Sequence, residues 1–183
     1  LEKAGAEKFD FFILAGDTTY NDSATTLSQY RAKWLGQVGQ STYRSLLSST
    51  GNFATWDDHE VANDWNPETI DKTRLANATQ AFFEHLPVRR HTSEANRIWR
   101  SASWGDTLEI FVLDSRSERK PSTASGPNAQ YLSPAQLSWL QSGLVASTAT
   151  FKIIVTSVPI TNMPALWDLY AVDRWEGYPA QRK

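Results

Sequence analysis

Apolar positions along the chain switch between two periods. Residues 9–15 run Phe9-Asp10-Phe11-Phe12-Ile13-Leu14-Ala15, a short and almost continuous apolar stretch that predicts a mostly buried strand ended by Gly16-Asp17. Leu27, Tyr30, Trp34 and Val38 then recur at helical spacing and predict a helix over 26–38, with a second short helix over 41–48. Asn52-Phe53-Ala54-Thr55-Trp56 reads as a short strand that runs into Asp57-Asp58-His59-Glu60. Residues 67–85 predict a long helix, with Pro67 in its first turn and Asn66 as N-cap.

The second half repeats the alternation. Residues 97–104 read as extended and aromatic, 108–113 as a strand ending at Asp114, and 117–131, rich in Ser, Pro and Gly, as a long loop. Ser133-Pro134-Ala135-Gln136 is a helix start in which Ser133 caps, Pro134 suits the first turn and Gln136 can complete a capping box. That helix continues through Leu137, Leu140 and Leu144, the last strand covers 151–156, and the remainder through Trp167 and Trp175 is loop-rich. Strands alternating with helices predict an α/β layered fold with helices over a mixed sheet, spanning 1–183 as a single domain.

In such a fold the polar residues fall in one kind of place. Asp17, Asp57, Asp58, His59, Asp114 and Ser157 all sit at or just past the carboxyl end of a predicted strand, where open α/β sheets bind ligands. Composition narrows the chemistry further. Lys plus Arg is 18 against 20 Asp plus Glu, a net charge of −2, which argues against an affinity built on a phosphate-facing basic surface. The chain has no cysteine, so disulfides, Cys-ligated metals and a Cys nucleophile are excluded. No apolar run is long enough to span a bilayer, and Leu1-Glu2-Lys3-Ala4 lacks the pattern of a signal peptide.

Three segments carry candidate chemistry. In Gly16-Asp17-Thr18-Thr19-Tyr20 the glycine permits a sharp turn and Asp17 projects a carboxylate that could bridge two hard cations. Tyr20 is a candidate phenolate ligand; a turn in which Asp17 caps a helix and Tyr20 packs is the competing reading. In Asp57-Asp58-His59-Glu60 the adjacent acids repel unless a cation offsets them, and His59 can give a proton to a leaving group. The competing reading is a solvated acidic loop. A zinc helix motif is excluded, because position 63 is Asn63. In Asp114-Ser115-Arg116 the guanidinium could bind an oxyanion, or pair with Asp114. His85 and His91 read as structural or surface residues. Phosphate-binding P-loops, dinucleotide fingerprints, nucleophile elbows and EF-hand loops are missing.

Taken in order, residues 11–20, 55–64, 113–116, 131–140 and 173–182 resemble the PhoD-like alkaline phosphatase and phosphodiesterase family of metallophosphatases. The segments Trp56-Asp57-Asp58-His59-Glu60 and Trp175-Glu176-Gly177-Tyr178-Pro179 carry most of the specificity; Gly-Asp-x-x-Tyr is shared with purple acid phosphatases. The resemblance implies a calcineurin-like layered fold around a two-metal site that hydrolyses small phosphate esters. It implies Asp17 as the bridging carboxylate, Tyr20 as a ligand of Fe3+, Asp58 as a ligand of the second metal (Ca2+), and His59 as the catalytic histidine. For Asp57 it leaves metal binding, orientation of His59 and loop support open, and Arg116 is a candidate substrate contact. It also implies an extracellular or periplasmic location. Earlier and later metal-binding motifs of the family have no counterpart in 1–183, so the domain is expected to be incomplete at both ends. The rival reading is a non-catalytic, aromatic-rich binding domain that uses exposed tryptophans and calcium-stabilised acidic loops. Phospholipid or nucleotide diesters are alternative substrates for the same fold.

Overall fold

The computed structural model of this chain describes residues 3–4, 7–164 and 171–183. It divides into two compact units, residues 1–65 with 70–97 and residues 66–69 with 98–183. Leu1 and Trp167 lie outside the described residues.

The first unit contains β1 (Phe11–Ala15), α1 (Leu27–Val38), α2 (Ser41–Ser49), β2 (Gly51–Thr55) and α3 (Lys72–His85). β1 and β2 pair in parallel, with Phe11 opposite Gly51 and Ala15 opposite Thr55. Parallel pairing sends both chains off the sheet at the same edge, where the acidic segments begin. α1 starts with a capping box: the Thr26 side chain accepts from Gln29 N–H, and the Gln29 side chain accepts from Thr26 N–H. Its inward face buries Tyr30 and Trp34, and α1 packs on α3. Phe82 meets Trp34 edge-on at 6.1 Å and lies 5.4 Å from Trp56, so one aromatic cluster joins both helices to the end of β2.

The expected helix over 67–85 starts later. Asp71 caps it by accepting from Arg74 N–H at 2.7 Å, while the Asn66 side chain accepts from Glu68 N–H and closes a local turn. Asn66 therefore serves as a turn former rather than a cap, and residues 66–69 belong to the other unit.

The second unit contains β3 (Arg100–Trp104), β4 (Leu108–Val112), α4 (Pro134–Ala146), β5 (Phe151–Val155) and the single turn α5 (Pro179–Arg182). β3 and β4 form a hairpin whose turn uses Gly105 at φ 56°, and β4 pairs in parallel with β5, Val112 opposite Val155. The sheet is thus mixed, as expected. β4 is β5's one strand neighbour among the described residues, and Phe151, Ile153 and Ile154 of β5 are exposed. α4 lies on the sheet, with Gly143 close against the Phe111 ring.

Ser133 caps α4 as expected, but Gln136 does not complete a capping box. Its side chain is fully buried and serves the end of β4: Oε1 accepts from Asp114 N–H at 2.9 Å, and Nε2 donates to Asp114 O and to Glu118 Oε2. A buried amide must satisfy both of its ends, and here tertiary partners win over the local one.

Residues 171–183 are anchored rather than loose. Trp175 and Tyr178 are buried, with rings 4.2 Å and 5.0 Å from Tyr131. Gln181 accepts from Tyr131 N–H and Leu132 N–H and donates to Leu132 O, which adds the backbone link. No helix among the described residues is long and apolar enough to cross a membrane.

Gly177 is the tightest point of this anchor. A Cβ there would sit 2.3 Å from Ala171 O and 2.6 Å from Ala171 C, both backbone atoms. Gly177→Ala is expected to destabilise the protein by about 2 kcal/mol, read as a lowered midpoint in denaturant unfolding; an unchanged midpoint would contradict this packing.

Candidate metal centre

Gly16, at φ 106°, and Asp17, at φ 52°, turn the chain sharply at the end of β1. Gly16 takes that conformation at no steric cost, and aspartate tolerates the left-handed region better than most residues. The turn brings Asp17 beside the segment leaving β2. Asp17, Asp58 and His59 each bring one oxygen or ring nitrogen to within 4.8 Å of one another. These groups come from the exits of two adjacent parallel strands.

The electrostatics are those of a crowded anionic site. Burial pushes the Asp17 carboxyl up, and the charges of Asp57 and Asp58 push it further, against a smaller opposing pull from His59. Tyr20 is 58% exposed, and its ring lies 4.2 Å from the His59 ring at an interplanar angle of 36°. The Asp17 charge, followed by burial and Asp58, raises the Tyr20 phenol above its ordinary value. A hard cation reverses both effects, because it favours carboxylate and phenolate alike. The donor set, with carboxylate oxygens, an imidazole and a neighbouring phenol, therefore fits a metal ion.

His59 is held from one side. Its Nδ1 lies 2.8 Å from Asp22 Oδ1, and the same oxygen accepts from Asn63 N–H at 2.6 Å. A carboxylate at Nδ1 fixes the proton there in the neutral ring, so Nε2 is the nitrogen that gains and loses a proton. Burial opposes the charged ring, but Asp22, Asp58 and Asp17 prevail and raise its pKa. Arg74 donates to Asp22 O at 2.6 Å and to the Tyr30 hydroxyl at 3.1 Å, so helix α3 braces this loop.

These features meet a family assignment. The family profile described as PhoD-like phosphatase matches residues 1–183. The chain belongs to the PhoD-like phosphatase family. It is 28% identical over 205 residues to alkaline phosphatase D of Bacillus subtilis (strain 168), covering 95% of this chain and 34% of that protein. The solved structure of PhoD matches with a TM-score of 0.85 at 24% identity, covering 99% of this chain and 43% of that one. The chain thus spans about a third of the length of the curated relative.

In this PhoD-like chain the other expected site residues have different surroundings. Asp57 stands outside the Asp17–Asp58–His59 group and acts on it through its charge, while its N–H donates to Glu60 at 2.8 Å. Asp114 accepts from Arg116 N–H and Ser117 N–H through Oδ1, closing its own turn in the second unit. Arg116, 1% exposed, makes a two-pronged pair with Asp173 at 2.5 and 2.7 Å. Arg119 adds a bond to the same carboxylate at 2.7 Å. The alternative of an Asp114–Arg116 contact is met through the Arg116 N–H, while the carboxylate that its guanidinium fork meets, Asp173, comes from 57 residues later.

Two acidic residues had no role in the sequence reading. Asp22 supports His59, and Glu60 accepts backbone N–H groups from both loops. The Asn21-Asp22 pair just after Tyr20 is the signal for the first; a carboxylate amid a polar run gave no sign that it was buried.

Burial pushes the Asp173 carboxyl up, but Arg116 and Arg119 outweigh it and hold the group below its ordinary value. Its stabilising contribution is therefore complete above the unfolded value of 3.8 and is lost as pH falls through the lower folded value. Asp173→Asn is expected to cost about 3 kcal/mol at neutral pH, since two buried guanidinium groups lose their carboxylate. Thermal midpoints measured from neutral to strongly acid pH should show a smaller acid loss in the variant; parallel curves would contradict the pairing.

Proposed function

We propose that this chain is the central part of one metallophosphatase domain and that it hydrolyses phosphate monoesters or diesters with the help of bound metal ions. The observation that carries the reading is the approach of Asp17, Asp58 and His59 to within 4.8 Å from two strand exits. Three further findings support it. Burial and the charges of Asp57 and Asp58 raise the proton affinity of Asp17, and a bound cation would offset that. Trp34, Trp56, Trp65, Trp99 and Trp175 are buried and Trp139 is partly buried, which leaves Trp104 as the exposed tryptophan among the described residues and disfavours the aromatic binding surface of the rival reading. The relative that matches is named an alkaline phosphatase.

In this proposal Asp17, Asp58 and Tyr20 would hold the metal ions, with Asp17 able to serve more than one of them. A trivalent ion such as Fe3+ suits a phenol whose ionisation Asp17 opposes, and Ca2+ suits the carboxylate oxygens. The metals supply Lewis acidity toward water and the phosphoryl oxygens. His59 carries a proton on Nε2 to the departing ester oxygen as the bond from phosphorus to that oxygen breaks. Asp57 holds the loop and adds negative charge; Arg116, expected as a substrate contact, is instead buried with its guanidinium forked onto Asp173. The setting is extracellular or periplasmic, as the family resemblance implies.

Elemental analysis of the purified protein together with p-nitrophenyl phosphate and bis-p-nitrophenyl phosphate assays tests the reading; no bound metal and no hydrolysis of either ester would remove it. Asp17→Asn and His59→Ala are expected to lower kcat about 100-fold or more, because both act at the phosphoryl centre. Asp22→Asn should lower kcat about 10- to 100-fold, with a larger loss on alkyl phosphates than on p-nitrophenyl phosphate. Equal losses on both ester types would mean that Asp22 does not act through proton delivery.

A further inference from the structure

Glu60 is buried, yet it is not among the three groups that converge at the candidate metal centre. Its Oε1 accepts from Thr18 N–H and from Thr19 N–H at 3.3 Å, and its Oε2 accepts from Asp17 N–H at 3.1 Å and Asp57 N–H at 2.8 Å. A carboxylate has about four lone-pair sites, so four backbone donors saturate it. Such a group is a poor metal ligand, because coordination would strip donors that have no water to replace them.

Three of the four donors are consecutive amides, at residues 17, 18 and 19. Consecutive amides turn to one side only where the backbone passes through an unusual conformation, and Asp17 at φ 52° supplies it. The left-handed turn and the carboxylate therefore explain each other: the turn makes an anion-binding hollow, and Glu60 fills it from the neighbouring loop. Asn21 adds a second tie between the same loops. Its N–H donates to His59 O at 2.8 Å and its side-chain amide to Glu60 O at 3.0 Å.

We infer that Glu60 is the positioning residue of the centre: it fixes the backbone at 17–19 so that the Asp17 carboxylate faces Asp58 and His59, and it touches neither metal nor substrate. The inference rests on the metal-dependent reading under Proposed function and assigns the residue that makes that site preformed. Positioning of this kind acts through geometry, so charge alone is not enough. Aspartate at position 60 keeps the charge and shortens the reach by one methylene; glutamine keeps the reach and removes half of the acceptor capacity.

The test is a Mn2+ titration of the purified chain followed by electron paramagnetic resonance, comparing wild type with Glu60→Asp and Glu60→Gln. Mn2+ is the probe because it takes the same hard oxygen ligands. Both variants are expected to bind Mn2+ at least about tenfold more weakly, the size of effect that supporting contacts have on metal affinity. Wild-type affinity in a folded Glu60→Asp variant would overturn the inference, because charge and not position would then matter. A wild-type chain that takes up no Mn2+ would overturn the metal reading itself, a failure visible before any variant is made. Amide hydrogen exchange on the wild-type protein decides the matter if neither variant folds. Thr18 and Thr19 amides should be protected despite lying outside any helix or strand, and exchange at open-loop rates would overturn the clasp.

Discussion

Parallel pairing of β1 with β2 is the constraint on which the rest of the first unit depends. With Ala15 opposite Thr55, the two chains leave the sheet side by side and in the same direction. Their next residues must share one small volume, and those residues are rich in acid. Burial disfavours the charged Asp17 carboxylate, and the charges of Asp57 and Asp58 add to the cost. Within the protein the opposing contributions are backbone N–H groups and the His59 ring. The Glu60 carboxyl shows the balance most clearly: burial pushes it up to about 7, while the N–H groups of Asp57, Thr18 and Thr19 pull the other way. A loop organised this tightly around anions is shaped to receive positive charge.

The aromatic side chains that support the site are more buried than the site itself. Tyr30 donates its hydroxyl to Val61 O at 2.8 Å, just past the acidic run, and accepts from Arg74. Trp56 packs against Trp65 and Phe82, which fixes the residue preceding Asp57. Aromatic side chains thus bear on the backbone immediately next to the site from both ends. Tyr20 and Asp17 are exposed and His59 is partly exposed, so a ligand could reach all three.

In the second unit, a segment that carries the family resemblance has a packing role. Trp175-Glu176-Gly177-Tyr178-Pro179 is that segment, and in the structure Trp175 and Tyr178 join the core while the close backbone approach leaves no room for a side chain at 177. Asp173, just before it, satisfies two buried arginines. Specific sequence here reflects specific packing. Arg116 is held in that network of the second unit, whereas Asp17, Asp58 and His59 stand together in the first.

Much of the fold was legible from the chain. Strand and helix periods placed β1, α1, β2, β4, α4 and β5 within a few residues, because apolar spacing records the local period, even in β5, whose Phe151, Ile153 and Ile154 are exposed among the described residues. The candidate ligands were legible too, since strand exits are where an α/β sheet leaves side chains free to meet a ligand. What the sequence could not determine were the contacts whose partners are distant in the chain. Whether Asn66 or Asp71 caps α3, whether Gln136 serves its own helix or the end of β4, and which carboxylate meets Arg116 all depend on what lies nearby after folding. Asp22 and Glu60 are the clearest cases. Any exposed loop can hold an Asp or a Glu; tertiary structure alone put one against the His59 ring and buried the other under four backbone donors. Local spacing encodes which face of an element is buried, but a hydrogen-bond partner 40 residues away is chosen by the packing that delivers it.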